Sequence, residues 1–136
     1  MNNRILLVDD EEAILLSFTR LLSHASFHVD TARRIEDAEA LLKENQYAVV
    51  ITDLRLTGVL GEEGLEILRY AHEKNPGAAV ILVTGYGNPE IMNRAFELDA
   101  AFYFEKPVEP KQLLEAVREL CSGSRKPAEV GRELGN

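Results

Sequence analysis

The chain reads as an α/β domain, a doubly wound parallel sheet of five strands with five helices, on three observations. Short continuous apolar runs alternate with longer runs of helical period, the pattern of successive βα units. Four of the apolar runs lack polar alternation, as strands covered on both faces do. Acidic, hydroxyl and basic residues stand at the ends of those runs, where an open parallel sheet presents its ligand-binding groups.

Residues 5–8 (Ile5, Leu6, Leu7, Val8) make the first strand and run into Asp9-Asp10. Ile14, Phe18, Leu21, Leu22 and Ala25 then recur along one helical stripe. Residues 27–30 (Phe27-His28-Val29-Asp30) alternate instead, which suits an edge strand with one wetter face. Ile35, Ala38 and Leu42 mark a second helix. The third strand, residues 48–52, is closed by Asp53. Leu65, Leu68 and Ala71 mark a third helix, which Asn75-Pro76-Gly77 ends. The fourth strand, residues 79–83, is closed by Thr84, and Asn88-Pro89 supplies a cap and a first-turn proline for the next helix. That helix carries Ile91, Ala95 and Leu98 on its stripe. Residues 101–104 form the last strand before Lys106-Pro107, and Leu113, Val117 and Leu120 mark the fifth helix. Each crossover between parallel strands is right-handed.

With 136 residues the chain makes one ordinary domain. A domain of this size hides roughly two thirds of its unfolded surface, enough to fold without disulfides or a structural metal. The single Cys121 agrees, since it permits neither a disulfide framework nor a zinc site, and it points to a cytoplasmic setting. No stretch has the length of a membrane span. The net charge of −8 argues against direct nucleic-acid binding, because phosphate contacts need a basic surface. Residues 122–136 mix glycine, proline, serine and charges, so they read as a flexible C-terminal tail or linker after a globular unit of residues 1–121.

The acids have ordinary uses: Asp9-Asp10-Glu11-Glu12 complements the positive end of a helix, and Asp53 suits a turn. Lys106-Pro107 and Thr84-Gly85 likewise suit a surface turn and a strand end. Their order along the sheet carries more weight. Carboxylates held close together repel one another unless a cation lies between them. Hard oxygen ligands with room for water and phosphate are what Mg²⁺ prefers. A carboxylate is also a nucleophile that can take a phosphoryl group as an acyl phosphate, with Lys106 and Thr84 placed to stabilise its oxygens.

The segments Ile5-Leu6-Leu7-Val8-Asp9-Asp10-Glu11, Ile51-Thr52-Asp53-Leu54-Arg55-Leu56, Val83-Thr84-Gly85 and Phe102-Tyr103-Phe104-Glu105-Lys106-Pro107 resemble the hallmarks of receiver domains of two-component response regulators, over residues 4 to 121. The resemblance implies a flavodoxin-like three-layer α/β/α fold with strand order 2-1-3-4-5, as in chemotaxis receivers. It implies that Asp53 is the phosphoacceptor, served by a sensor histidine kinase, a phosphotransfer protein or a small acyl phosphate. Mg²⁺ would be held by Asp10, Asp53 and the backbone carbonyl of Arg55, with Asp9 reaching it through water. Thr84 and Lys106 would bind phosphoryl oxygens, and Tyr103 matches the switch aromatic that turns inward as Thr84 moves. A partly exposed aromatic on an edge strand is the other reading of Tyr103. The fourth helix, last strand and fifth helix would form the output face toward a downstream effector. The implied protein is a signalling switch, catalysing only its own phosphoryl transfer and dephosphorylation. It has no membrane partner, and a phosphorylation-dependent homodimer is left open. The three histidines are assigned to surface or packing, since the donor histidine belongs to the partner.

Thr57 replaces a common proline, and residues 58–64 make the following loop longer than usual. Asp99 stands where glycine is common, a position whose backbone Asp tolerates better than most residues. Three other readings share parts of the pattern. A haloacid-dehalogenase-type phosphohydrolase would need Asp-x-Asp after its first strand, whereas Asp9 and Asp10 are adjacent. A flavin module would need an uncharged phosphate loop there, and a pseudo-receiver would lack site residues. A receiver piece of a larger transcription factor or signalling enzyme keeps the same chemistry; a stand-alone receiver is preferred. Arg55 and Tyr86 are bulky and flank the acceptor region, so they should hinder the attacking water. Arg55→Ala and Tyr86→Ala are expected to speed decay of the phosphoryl adduct, and unchanged or slower decay rejects that role.

Overall fold

The computed structural model describes residues 2–53, 63–85 and 89–122. Strands and helices alternate along the chain: β1 (Arg4–Val8), α1 (Glu12–His24), β2 (His28–Ala32), α2 (Ile35–Glu44), β3 (Val49–Asp53), α3 (Glu63–Lys74), β4 (Ala79–Thr84), α4 (Pro89–Glu97), β5 (Phe102–Glu105) and α5 (Pro110–Ser122). All neighbouring strands pair parallel in the order β2-β1-β3-β4-β5. The expected order is therefore found, with β2 and β5 at the edges.

Successive strand residues point to opposite faces, so a continuous apolar run feeds two cores at once. Leu6, Val8, Val50, Val80 and Leu82 pack with Leu42 of α2, Leu65, Leu68 and Ala71 of α3, and Ala95 of α4. Ile5, Leu7, Val49, Ile51, Ile81 and Val83 pack on the other face with Leu15, Phe18 and Leu22 of α1 and with Leu113 and Val117 of α5. These two cores on one sheet are the three-layer architecture. The α1 stripe differs slightly from expectation, because Leu15 is buried while Ala25 lies beyond the helix as its C-cap.

The second strand is displaced from the expected residues 27–30 to His28–Ala32. Its start is set by the end of α1, where Ser26 has φ 74° and the Phe27 N–H returns to the Leu22 carbonyl at 3.0 Å. Helices commonly end with such a left-handed residue, usually glycine. Asp99 does the same after α4, with φ 75°, as its tolerance of that backbone suggested. Glu63 and Gly64 open α3 and so do not belong to the long loop expected before it. Leu54, Arg55, Thr57, Tyr86, Asn88, the rest of that loop and the tail from Gly123 lie outside the described residues.

Polar groups fasten the end of the sheet where the strands begin. Asp30 accepts hydrogen bonds from Arg4 at 2.9 Å and from the Tyr47 hydroxyl at 2.7 Å. Burial opposes ionisation of Asp30, but those two bonds outweigh it and hold its pKa below the ordinary value. Asn75, fully buried, accepts the Tyr47 N–H at 2.7 Å and donates to the Leu42 carbonyl at 2.9 Å. That carbonyl is in the last turn of α2, where helices leave acceptors unpaired. One side chain thus closes α2 and guides the chain into β3. Asn75→Ala strands two buried backbone groups at about 1–3 kcal/mol each. We expect urea unfolding to show a loss of about 2–6 kcal/mol; a loss well under about 1 kcal/mol would mean that water substitutes for the amide.

Candidate phosphoacceptor site

The chemistry gathers at the opposite end of the sheet, where β1, β3, β4 and β5 finish. Asp9 follows β1 directly, and its N–H extends the ladder to the Ala32 carbonyl at 3.1 Å. Its carboxylate divides its work: Oδ1 accepts the Glu11 N–H at 2.9 Å, and Oδ2 lies 2.9 Å from Lys106 Nζ. Asp53 and Thr84 are the last residues of β3 and β4, one register step apart, since Asp53 pairs with Val83. All three residues are buried, at 3%, 3% and 0% exposure for Asp9, Asp53 and Thr84. The order of strands explains the meeting. The chain turns outward to β2 and back past β1 to β3, so the acids after β1 and at the end of β3 face each other across the switch in direction.

Lys106 follows β5, anchored by its N–H to the Thr84 carbonyl at 2.9 Å, and the Lys106-Pro107 peptide is cis. Its Nζ lies 2.8 Å from Asp53 Oδ2 and 2.9 Å from Glu11 Oε1, in addition to Asp9. Burial pulls the Lys106 pKa down, but its hydrogen bonds to the carboxylates of Asp53, Asp9 and Glu11 prevail and raise it above the ordinary lysine value. The ammonium therefore stays charged across the physiological range. Asp9 moves the other way: burial pushes its pKa up, the Glu11 N–H and Lys106 pull it back, and the Asp53 charge adds to the rise. Its ionised form is disfavoured where it sits.

Asp9, Asp10 and Asp53 each offer a carboxylate oxygen within 4.8 Å of the others. Asp10 is half-buried, and Arg33 donates to its carbonyl oxygen at 3.0 Å. This oxygen-only set suits a hard divalent cation, and it would relieve the carboxylate crowding. A groove of about 1150 Å³ between α1 and β2 touches this cluster only at Asp10. Shape alone would point to that groove, whereas the converging charges point to the carboxylates, and charge is what phosphate chemistry requires.

Tyr103 is 3% exposed, so the reading of it as a partly exposed edge-strand aromatic is corrected. Its ring packs against Phe96 of α4 at 6.4 Å between centroids. Its hydroxyl is buried with no hydrogen-bond partner among the described residues. Burial, and then the nearby Glu105 charge, push its pKa up to about 12. The structure thus brings Asp9, Asp10, Asp53, Thr84 and Lys106 together; the Arg55 carbonyl lies outside the described residues. The partnership of Glu11 with Lys106 was missed. The only sequence signal for it is an acid directly after the aspartate pair.

The response regulator receiver domain profile matches residues 5–118. The alginate biosynthesis transcriptional regulatory protein AlgB of Pseudomonas aeruginosa is 38% identical over 119 residues, which are 86% of this chain and 26% of that protein. The chain therefore spans about a quarter of the length of this relative. A CheY-like receiver domain protein from Methanospirillum hungatei JF-1 superposes with TM-score 0.82 at 31% identity, covering 91% of this chain and 98% of the other. The beryllofluoride-activated NtrC4 receiver domain dimer superposes with TM-score 0.81 at 28% identity, over 89% and 98%. With the profile spanning nearly all of the described fold, the chain belongs to the response regulator receiver family, the phosphoacceptor switches of two-component signalling.

Proposed function

We propose that Asp53 takes a phosphoryl group from a sensor histidine kinase, a phosphotransfer protein or a small acyl phosphate. The observation that carries this reading is the contact of Lys106 Nζ with Asp53 at 2.8 Å and Asp9 at 2.9 Å. It sets a permanent cation beside a buried nucleophile in a group of acids. In the reaction an Asp53 oxygen bonds to phosphorus as the bond from phosphorus to the donor's nitrogen or oxygen breaks. The leaving group keeps that electron pair: a histidine nitrogen leaves as an imidazole that takes any proton it needs from water, and the carboxylate of an acyl phosphate leaves as the anion. Lys106 neutralises charge on the transferred oxygens, and Thr84 donates its hydroxyl to one of them.

Asp10, Asp53 and the Arg55 carbonyl would hold Mg²⁺, with Asp9 behind a water. Bound there, the ion would offset phosphoryl charge that the carboxylates otherwise repel. The donor set fits: hard oxygens, clustered within 4.8 Å and short of positive charge. Self-phosphorylation and hydrolysis of the aspartyl phosphate are then the only reactions the protein catalyses. Thr84 and Tyr103 sit on paired strands, and a phosphoryl group that engages Thr84 selects the arrangement of α4, β5 and α5 compatible with it. An effector, in the same protein or another, reads that face. The NtrC4 receiver structure is a dimer, which makes phosphorylation-linked pairing of two copies the form to look for.

Intact-protein mass spectrometry after incubation with acetyl phosphate tests the reading. We expect one phosphoryl adduct that requires Mg²⁺ and disappears in Asp53→Asn; no adduct in wild type under any condition refutes it. The crowded charges give a second test. Asp9→Asn should raise the melting temperature of the metal-free fold, because burial and the Asp53 charge disfavour the carboxylate there. It should also shrink the rise in melting temperature that Mg²⁺ produces in wild type. A less stable metal-free variant with an undiminished Mg²⁺ effect would show that Asp9 is neither strained nor engaged with the ion.

A further inference from the structure

Three carboxylates enclose Lys106, whose ammonium donates to Asp53 and Glu11 and pairs with Asp9. Its three ammonium protons are its whole donor supply, and Asp53, Asp9 and Glu11 stand around Nζ at 2.8, 2.9 and 2.9 Å. A phosphoryl oxygen can be received only if one carboxylate gives way. Asp9 and Asp53 are poor candidates to leave, since each side chain is 4% exposed and set directly at a strand end. The Glu11 side chain is 60% exposed, so it can swing into water at little cost.

Glu11 also occupies an unusual position for its contact. It is the N-cap residue of α1, yet its carboxylate makes no capping hydrogen bond. A short acid, aspartate, would turn there to the helix's own N–H groups, whereas the longer glutamate reaches past them. Here it is aimed instead at a lysine 95 residues away in sequence.

We propose that Glu11 is a positioning residue acting through Lys106. Its carboxylate holds the ammonium proton that a phosphoryl oxygen must take, and its charge repels the anionic donor. It therefore restrains phosphorylation of Asp53 until it is displaced. The proposal rests on Asp53 being the phosphoacceptor. Loss of Glu11 frees one proton while Asp9 and Asp53 keep Lys106 in place, so the site becomes more receptive.

Glu11→Gln and Glu11→Ala, in the full chain, are compared with wild type in two measurements. One is the rate of the phosphoryl adduct with acetyl phosphate and Mg²⁺. The other needs neither metal nor phosphate: the rate at which an amine-acylating reagent labels Lys106, read by peptide mass spectrometry. Both rates should rise about two- to fivefold in Glu11→Ala, the range that an exposed ion pair is worth, and less in Glu11→Gln, whose amide oxygen still accepts from the ammonium. A merely structural role would slow phosphorylation instead. Faster labelling with unchanged or slower phosphorylation overturns the proposal, because the contact would then exist without restraining the reaction. Unchanged labelling also overturns it, because Glu11 would not be holding Lys106 in solution. Failure of the phosphoacceptor reading looks different: no protein forms an adduct, wild type included, while labelling still responds to the substitutions, and the proposal falls with it.

Discussion

One ammonium holds together the end of the sheet where the function lies. Asp9, Glu11 and Asp53 all reach Lys106, and Asp10 lies within carboxylate distance of two of them. Without a cation these acids would repel one another in a region largely closed to water, where repulsion is poorly screened. Lys106 is an internal counter-ion that the backbone fixes in place, because its own N–H extends the sheet to Thr84. It also leaves negative charge in excess. On the proposed function, that unbalanced negative charge recruits a divalent cation, which then offsets the charge of an incoming phosphoryl group.

The two ends of the sheet resolve the same problem in opposite ways. At the starting end, Asp30 is matched by Arg4 and Tyr47, its pKa is lowered, and its charge contributes to stability. At the finishing end, Asp9 has a raised pKa despite its bond to Lys106, so its charge works against the metal-free fold. A parallel sheet with helices on both faces offers few other places for polar chemistry, since both faces are filled by the apolar cores. Stability is concentrated in those cores and at the starting end. The finishing end is thereby free to keep a strained arrangement of acids.

The apolar runs made the strands legible because burial on both faces leaves no room for polar alternation. Their ends were less legible: Asp53 and Thr84 belong to the strands, since hydrogen-bonded pairing carries β3 two residues and β4 one residue past the last apolar side chain. The strand order came with the resemblance, because periodicity carries no information about which strands are neighbours. The shift of β2 had no local signal, as Ser26 takes a conformation that a glycine would have advertised. Five site residues could be named from their places at strand ends, but the Lys106–Glu11 contact joins residues far apart in sequence and appears only in three dimensions. Burial of Tyr103 was hidden for the same reason, because Phe96 of α4 covers a strand that lies at the sheet edge.

The proposed switch role of Tyr103 would require two arrangements of similar energy. Burying its ring against Phe96 is favourable, while burying its hydroxyl without a partner costs about 1–3 kcal/mol. An outward ring would regain water at the hydroxyl and forfeit apolar contact of comparable worth. On the proposed function these two costs are close, so that a modest change at the neighbouring strand end would bias the balance. Thr84 is at that strand end, with Lys106 bonded to its carbonyl, so the charges around Asp53 and the packing beneath α4 share one piece of backbone. On the proposed function, this shared backbone is how an event among the carboxylates reaches a surface that another molecule can read.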